Sequence, residues 1–211
     1  MANLRNLIGR TVRYLAPARS KERSFSADIW NNSWSHGYDL NILNEDARYG
    51  VVVAWMRRYE RNGPLLDVGC GDGLLEERYR KVSTTQIIGF DYSSIAIERA
   101  RARCLNDVEF LCADGRTFLP KRRFSVVVLN ESLYYVDDYL GVMANLSRAL
   151  IDDGVFIVSM HDTRVTRRIW KNVQRSYVLL HGAALRDETT DGFWRVRLLR
   201  PRRWDSPQAS P

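Results

Sequence analysis

Leu65-Leu66-Asp67-Val68-Gly69-Cys70-Gly71-Asp72-Gly73 decides the fold. Leu65, Leu66 and Val68 are the apolar residues of a strand covered on both faces. Glycines 69, 71 and 73 then permit positive φ and bring bare backbone close to a ligand. A helix from about Leu74 to Lys81 follows, and its opening amides are expected to face that ligand. Asp67 falls at the carboxyl end of the strand, where open α/β sheets bind their ligands.

Two further strands end in acids. Ile87-Ile88-Gly89-Phe90-Asp91 places Asp91 twenty-four residues after Asp67, the span of one strand–helix–strand unit. A carboxylate there reaches the two hydroxyls of a ribose. Val108 to Asp114 is a third strand, its acid twenty-three residues beyond Asp91 and suited to accept from the exocyclic amine of adenine. Together the three acids specify an adenosine ligand.

Asp67 to Gly73, Phe90-Asp91-Tyr92-Ser93 and Cys112-Ala113-Asp114 resemble the successive motifs of class I S-adenosylmethionine-dependent methyltransferases. Phe124 to Tyr135, containing Asn130-Glu131-Ser132-Leu133-Tyr134-Tyr135, looks like that family's fourth motif and is similar to the nodulation protein S type. The resemblance covers roughly Arg48 to Met160. It implies a Rossmann-like, three-layer α/β sandwich: a seven-stranded, mostly parallel sheet flanked by helices, its last strand antiparallel. It also implies S-adenosylmethionine as cofactor, held by Asp67, Gly69, Cys70, Gly71, Gly73, Asp91, Tyr92, Asp114, Gly115 and Asn130, with Arg48 on the methionine carboxylate. A nicotinamide dinucleotide is the competing ligand, but its fingerprint is Gly-x-Gly-x-x-Gly, and here the glycines fall as Gly-x-Gly-x-Gly.

A chain of 211 residues suits one α/β domain with a modest decoration. No apolar run reaches the roughly 18 residues of a membrane span, and the first twenty residues lack the pattern of a signal peptide. Cys70, Cys104 and Cys112 have neither disulfide nor zinc spacing, so no metal is expected, and reduced thiols suit the cytoplasm. The net charge of +7 invites a nucleic-acid reading, but residues 1–24 hold six basic side chains against one acid. The charge is therefore assigned mostly to that terminal segment.

Residues 1–43 read as a basic helix and a lid, 44–200 as the methyltransferase domain, and 201–211 as a disordered tail. Asn3 to Leu15 carries Leu4, Leu7, Ile8, Val12 and Leu15 on one face, which suits either docking on an anionic membrane through residues 1–16 or packing on its own domain. Trp30 to Asp39 is aromatic and aperiodic, with Trp30, Trp34, His36 and Tyr38 as lid candidates. Asn44 caps a helix from Glu45 to about Tyr59. Other helices are expected from Ser93 or Ser94 to Leu105 and from Tyr139 to Leu150, then a turn at Asp152-Asp153-Gly154 and a fifth strand over Val155–Met160. A basic helix over Arg164–Leu180 precedes a hairpin, Leu185–Thr190 and Phe193–Leu199, joined by a type I′ turn at Asp191-Gly192.

Methyl transfer from a sulfonium needs positioning and, for a hydroxyl acceptor, a base. His161 leaves the fifth strand on the cofactor's rim and is the candidate base; Glu131 and Tyr135 are candidates for holding the acceptor. The fourth strand lacks the Asn/Asp-Pro-Pro-Tyr/Phe of base-amine methyltransferases, so nucleic acid is disfavoured and a small metabolite, sugar or glycan precursor preferred. The alternatives are an RNA or protein methyltransferase, and a cofactor-binding partner subunit without turnover. Oligomeric state is not legible.

Overall fold

The structure is a computed structural model and describes residues 26–36, 46–61, 63–187 and 192–202. Its elements are α1 (Ala27–Ser35), α2 (Asp46–Tyr59), β1 (Leu65–Val68), α3 (Leu74–Arg80), β2 (Ile87–Asp91), α4 (Ser94–Ala102), β3 (Val108–Cys112), β4 (Phe124–Asn130), a 3-10 turn (Leu133–Tyr135), α5 (Tyr139–Ser147), β5 (Leu150–His161), α6 (Arg164–Ser176), β6 (Tyr177–Arg186) and β7 (Phe193–Pro201).

Seven strands form one sheet in the order β3-β2-β1-β4-β5-β7-β6. β1 pairs in parallel with β2 and β4, and β7 runs antiparallel to both β5 and β6. The order reverses at β1, so the crevice for a ligand opens above β1 and β4 at their carboxyl ends. Val52 and Met56 of α2 and Leu74, Leu75 and Tyr79 of α3 pack with Leu65, Ile87, Val126 and Ile157 on one face. Val142 and Leu146 of α5 and Ile169, Trp170 and Val173 of α6 pack with Leu66, Val127, Phe156 and Val158 on the other. That is the expected three-layer sandwich.

Several local expectations are corrected. Trp30–Asp39 was expected to be aperiodic, yet Ala27–Ser35 is helical, because Trp34 is buried and Arg99 Nη2 donates to its carbonyl at 2.7 Å. α5 ends at Ser147 rather than Leu150, and Asp152-Asp153-Gly154 is no free turn but lies in a bulge of β5, where Phe124 faces Leu150 and Val126 faces Val155. α6 stops at Ser176 instead of Leu180, since residues 177–186 are paired along β7 as the edge strand β6. The register also differs from that of a two-residue turn at Asp191-Gly192: Arg186, rather than Thr190, pairs with Phe193, and Asp187 N–H donates to the Gly192 carbonyl at 2.8 Å. Pro201 belongs to β7, opposite Tyr177, so the sheet reaches one residue into the expected tail. The helix expected over Asn3–Leu15, with the rest of residues 1–25, Tyr38, Asn44, Asp191 and residues 203–211, lies outside the described residues.

Candidate active site

The glycine loop is built as expected in outline and differently in its hydrogen bonds. Gly69, Gly71 and Gly73 have φ of 78°, 58° and 81°. A Cβ on Gly69 would stand 2.6 Å from the Ser132 Cβ, and Ser132 Oγ donates to the Val68 carbonyl at 2.6 Å, so the loop after β4 rests directly on the loop after β1. Four amides of the loop itself are committed within the protein. Gly69 and Cys70 N–H both donate to the Phe90 carbonyl, Gly73 N–H to the Cys70 carbonyl, and Gly71 N–H to Asp91 Oδ2. The loop folds its donors inward onto β2. The Cys70 side chain is likewise buried, among Ile97, Ala100 and Phe110, and burial pushes its thiol well up.

Asp91 is set by that loop. Its Oδ2 accepts from Gly71 N–H at 3.0 Å and its Oδ1 from Ser93 N–H at 2.8 Å. Burial raises its pKa, against the lowering effect of these amides. A carboxylate held by two backbone donors keeps lone pairs in fixed directions for two hydroxyls. On the next strand, Arg116 grips Asp114 through Nε and Nη2, the latter at 2.6 Å, and holds its carboxyl below the usual range. Arg116 also lies over the Tyr92 ring, 5.7 Å from its centre. Asp114 is thus a carboxylate already bridged by an arginine two residues on. Gly115 sits beside Phe90, which stacks on Phe118 at 4.3 Å.

The candidate residues expected at the methionine and acceptor end come together between α2, β4 and β5. Arg48 is 2% exposed and donates to Asn130 Oδ1, joining two candidate residues 82 positions apart. Glu131 adopts φ of 58°, a strained conformation for a residue with a Cβ, and functional sites are where such strain collects. Its carboxylate accepts from Ser159 Oγ (2.7 Å), His161 N–H (3.0 Å) and Tyr134 Oη (3.1 Å). Glu131 therefore ties the ends of β4 and β5 together. The His161 ring packs against Trp194, with centres 5.4 Å apart, and its nitrogens have no hydrogen bond among the described residues. Tyr135 meets Trp30 of α1 edge-on at 4.7 Å. Asn31 Oδ1, on the same helix, accepts from Ser93 Oγ at 2.6 Å. α1 thereby spans from Ser93, beside Asp91, to Tyr135, whereas His36 is exposed and bonds its own helix at Asn32.

A family model described as a methyltransferase domain matches residues 48–202. The chain belongs to this methyltransferase family. A trans-aconitate 2-methyltransferase from Escherichia fergusonii is 30% identical over 135 residues, which cover 62% of this chain and 52% of that protein. The chain thus spans about half the length of the curated relatives it matches. Among solved structures, the N-methyltransferase NodS from Bradyrhizobium japonicum with S-adenosyl-L-homocysteine superposes with a TM-score of 0.64 at 16% identity, over 81% of this chain and 97% of that one. A methyltransferase from Thiobacillus denitrificans with the same ligand gives 0.65 at 14% identity, over 82% and 98%. These similarities show the fold of class I methyltransferases.

Two parts of this methyltransferase site escaped sequence reading. Arg103 donates to the Asp72 carbonyl through Nε and to Asp72 Oδ2 through Nη2, each at 2.6 Å, and to Glu77, clamping the glycine loop from α4. Nothing local marks it, since its partners lie 26 and 31 residues away. Glu76, fully buried in the first turn of α3, faces Asp67. Its only signal was an acid directly after Leu74-Leu75. Burial raises both carboxyls, Asp67 to about 7 and Glu76 well above its ordinary value; the Asp67 charge raises Glu76 further, whereas Asp67 is drawn down by Glu76 and pushed up by the Asp91 charge. Buried like charges cannot both ionise cheaply, so the pair shares a proton.

A raised folded-state pKa gives stability that is complete below the ordinary carboxylate range and is lost as pH climbs through the folded value. The window runs from about 4 upward through about 7 for Asp67, and higher for Glu76. Glu76→Gln should therefore flatten the alkaline fall in melting temperature. The wild type is expected to lose several degrees more than the variant between about pH 5 and about pH 9, at about 2–4 °C per kcal/mol. Parallel pH profiles would contradict the shared proton.

Proposed function

We propose that this chain transfers a methyl group from S-adenosylmethionine to an oxygen or nitrogen of a small molecule. The observation that carries the reading is the glycine loop whose donors turn inward to fix Asp91 at the mouth of the crevice. Such a loop presents Cα and carbonyl groups, which suit a sulfonium and an ammonium. A pyrophosphate would ask for outward N–H groups, so the loop disfavours a dinucleotide. When bound, the cofactor supplies a methyl on positive sulfur. The chain's own residues do the rest.

Asp91 holds the ribose, and Gly69, Gly71 and Gly73 give the backbone room. Tyr92 and Gly115 flank the adenine, with Asp114 reached through or beside Arg116. Arg48, oriented by Asn130, takes the methionine carboxylate. Trp30 and Tyr135 wall the acceptor side, and His161 takes the proton of a hydroxyl acceptor. Glu131, with three donors on its carboxylate, keeps His161 and Ser159 in register. Residues 44–200 form the catalytic domain and residues 1–43 its lid. Three unpaired cysteines, two of them exposed, suit a reducing cytoplasm. A small acceptor is also what the similarity to trans-aconitate 2-methyltransferase supports.

The test is transfer of labelled methyl from S-adenosylmethionine into host extract separated into small molecules, lipids, RNA and protein. Label in the small-molecule fraction is expected; label confined to RNA or protein would overturn the acceptor class. In the same assay His161→Ala should cut turnover roughly 100-fold with cofactor affinity intact, the scale of a lost general base. Unchanged turnover would remove His161 from proton transfer.

A further inference from the structure

The acceptor side of the fold carries a concentration of charge that its terminal segments do not explain. Residues 164–202 hold ten arginines and lysines against three acids, which leaves residues 25–163 net acidic. The earlier assignment of the charge mostly to residues 1–24 is thereby corrected. Within α6, Arg164, Arg167, Arg168, Lys171 and Arg175 meet no acid of their own helix.

The fold gathers part of this charge on one surface. Arg195 and Arg197 alternate with buried Val196 and Leu198 along β7, so both guanidinium groups leave the sheet on the α6 side. Arg197 lies over the Trp170 ring of α6 at 4.4 Å. Arg195 and Arg167 share Asp162, whose side chain is 1% exposed, so two cations cover one acid. Opposite them on the edge strand β6 stand Gly182, paired with Arg197, and Ala184, paired with Arg195. A Cβ on Gly182 would touch nothing within 4 Å, so the floor is open and shallow. Arg186 stands two residues on from Ala184 along the same strand, and Lys171 one helical turn past Arg167. One exposed apolar side chain belongs to this area: Leu179, 42% exposed and paired with Leu199 of β7.

We infer that the open α6-side face of the β6–β7 ribbon is a docking surface for an anionic phospholipid membrane. A flat array of arginine and lysine beside an exposed leucine matches anionic headgroups over an acyl boundary. The same face is poor for single-stranded nucleic acid. Trp170, the tryptophan beneath Arg197 on this face, is 2% exposed, so its ring is not offered for base stacking. The surface is separate from the reaction centre: His161 shares the opposite side of the sheet with its partner Trp194, while Arg195 and Arg197 face α6. β7 nevertheless begins at the active-site rim, because Trp194 pairs with His161. Docking by this face brings the rim close to the bilayer. The sequence of residues 1–24, basic with periodic leucines, has the same character and is tested separately.

The experiment is cosedimentation of the full chain with vesicles of phosphatidylcholine alone or mixed with phosphatidylglycerol. Binding to the anionic vesicles only, weakened by salt, is expected. Lys171→Glu with Arg186→Glu should lower partitioning roughly 25-fold or more, given about fivefold for each basic residue at an anionic surface. Lys171→Arg with Arg186→Lys should retain it. S-adenosylmethionine binding by the charge-reversed variant reports that it is folded, independently of any vesicle result. The inference is overturned by equal binding to neutral vesicles, by binding that survives charge reversal and disappears only on deleting residues 1–16, or by preference for duplex RNA over vesicles.

Discussion

Replacing Asp91 with alanine is expected to weaken S-adenosylmethionine binding roughly 100-fold or more, measured by calorimetric titration. A hydrogen bond to a charged group contributes about 1.5–3 kcal/mol, and the variant loses two such acceptors for the ribose. At 1.4 kcal/mol per tenfold, that is about two to four decades of affinity. A second loss adds to it. The Gly71 and Ser93 N–H groups, at 3.0 and 2.8 Å from the carboxylate, would be left without their acceptor inside the protein. The loop that shapes the crevice would then lose its anchor as well as its ligand contact. A variant that bound the cofactor normally would show that Asp91 is a structural carboxylate and that the ligand lies elsewhere.

Gly69→Ala is the second large effect. The residue has φ of 78°, which costs an L side chain about 1–2 kcal/mol. The new methyl would also fall 2.6 Å from the Ser132 Cβ, beside a residue whose Oγ is already committed to the Val68 carbonyl. Ser132 must move, and it immediately follows Glu131, the residue that ties β5 to β4. Turnover is expected to fall by at least about 100-fold, since displacements of about 1 Å at a reacting centre have that cost. The melting temperature should drop by several degrees at the same time. Full activity with unchanged stability would mean that the two loops are not in contact during the reaction.

How much of this was legible differs from element to element for physical reasons. β1, β2 and β4 are short apolar runs bounded by glycine, proline or acid, and their burial on both faces makes them readable without a partner. The cap of α4 was narrowed to Ser93 or Ser94, and it is Ser93 whose Oγ accepts from Ala96 N–H at 3.2 Å. β6 was hidden because Ile169, Trp170, Val173, Tyr177 and Leu180 continue a helical spacing past the true end of α6. Only pairing with β7 decides for strand there, and an edge strand with one open face has little apolar pattern of its own. α1 was missed for a related reason. Asn31, Asn32, Ser33 and Ser35 have weak helix propensity, and burial of Trp34 together with the Asn31–Ser93 contact supplies what the local sequence lacks.

Within the site, residues lying on motif positions were findable, and their partners were not. Arg48 and Asn130 were named separately, yet their contact exists only because α2 crosses the end of β4. Glu131 was named for the acceptor, but three donors occupy its carboxylate, which no local pattern announces. Arg103, Glu76 and the basic face on β7 arise from pairings that the sheet creates.

The most direct test of the central claim is calorimetric titration of the wild-type chain with S-adenosylmethionine and, separately, with a nicotinamide dinucleotide. The account predicts one saturable site for S-adenosylmethionine and none for the dinucleotide. Binding of the dinucleotide, or a flat trace with S-adenosylmethionine, would contradict it.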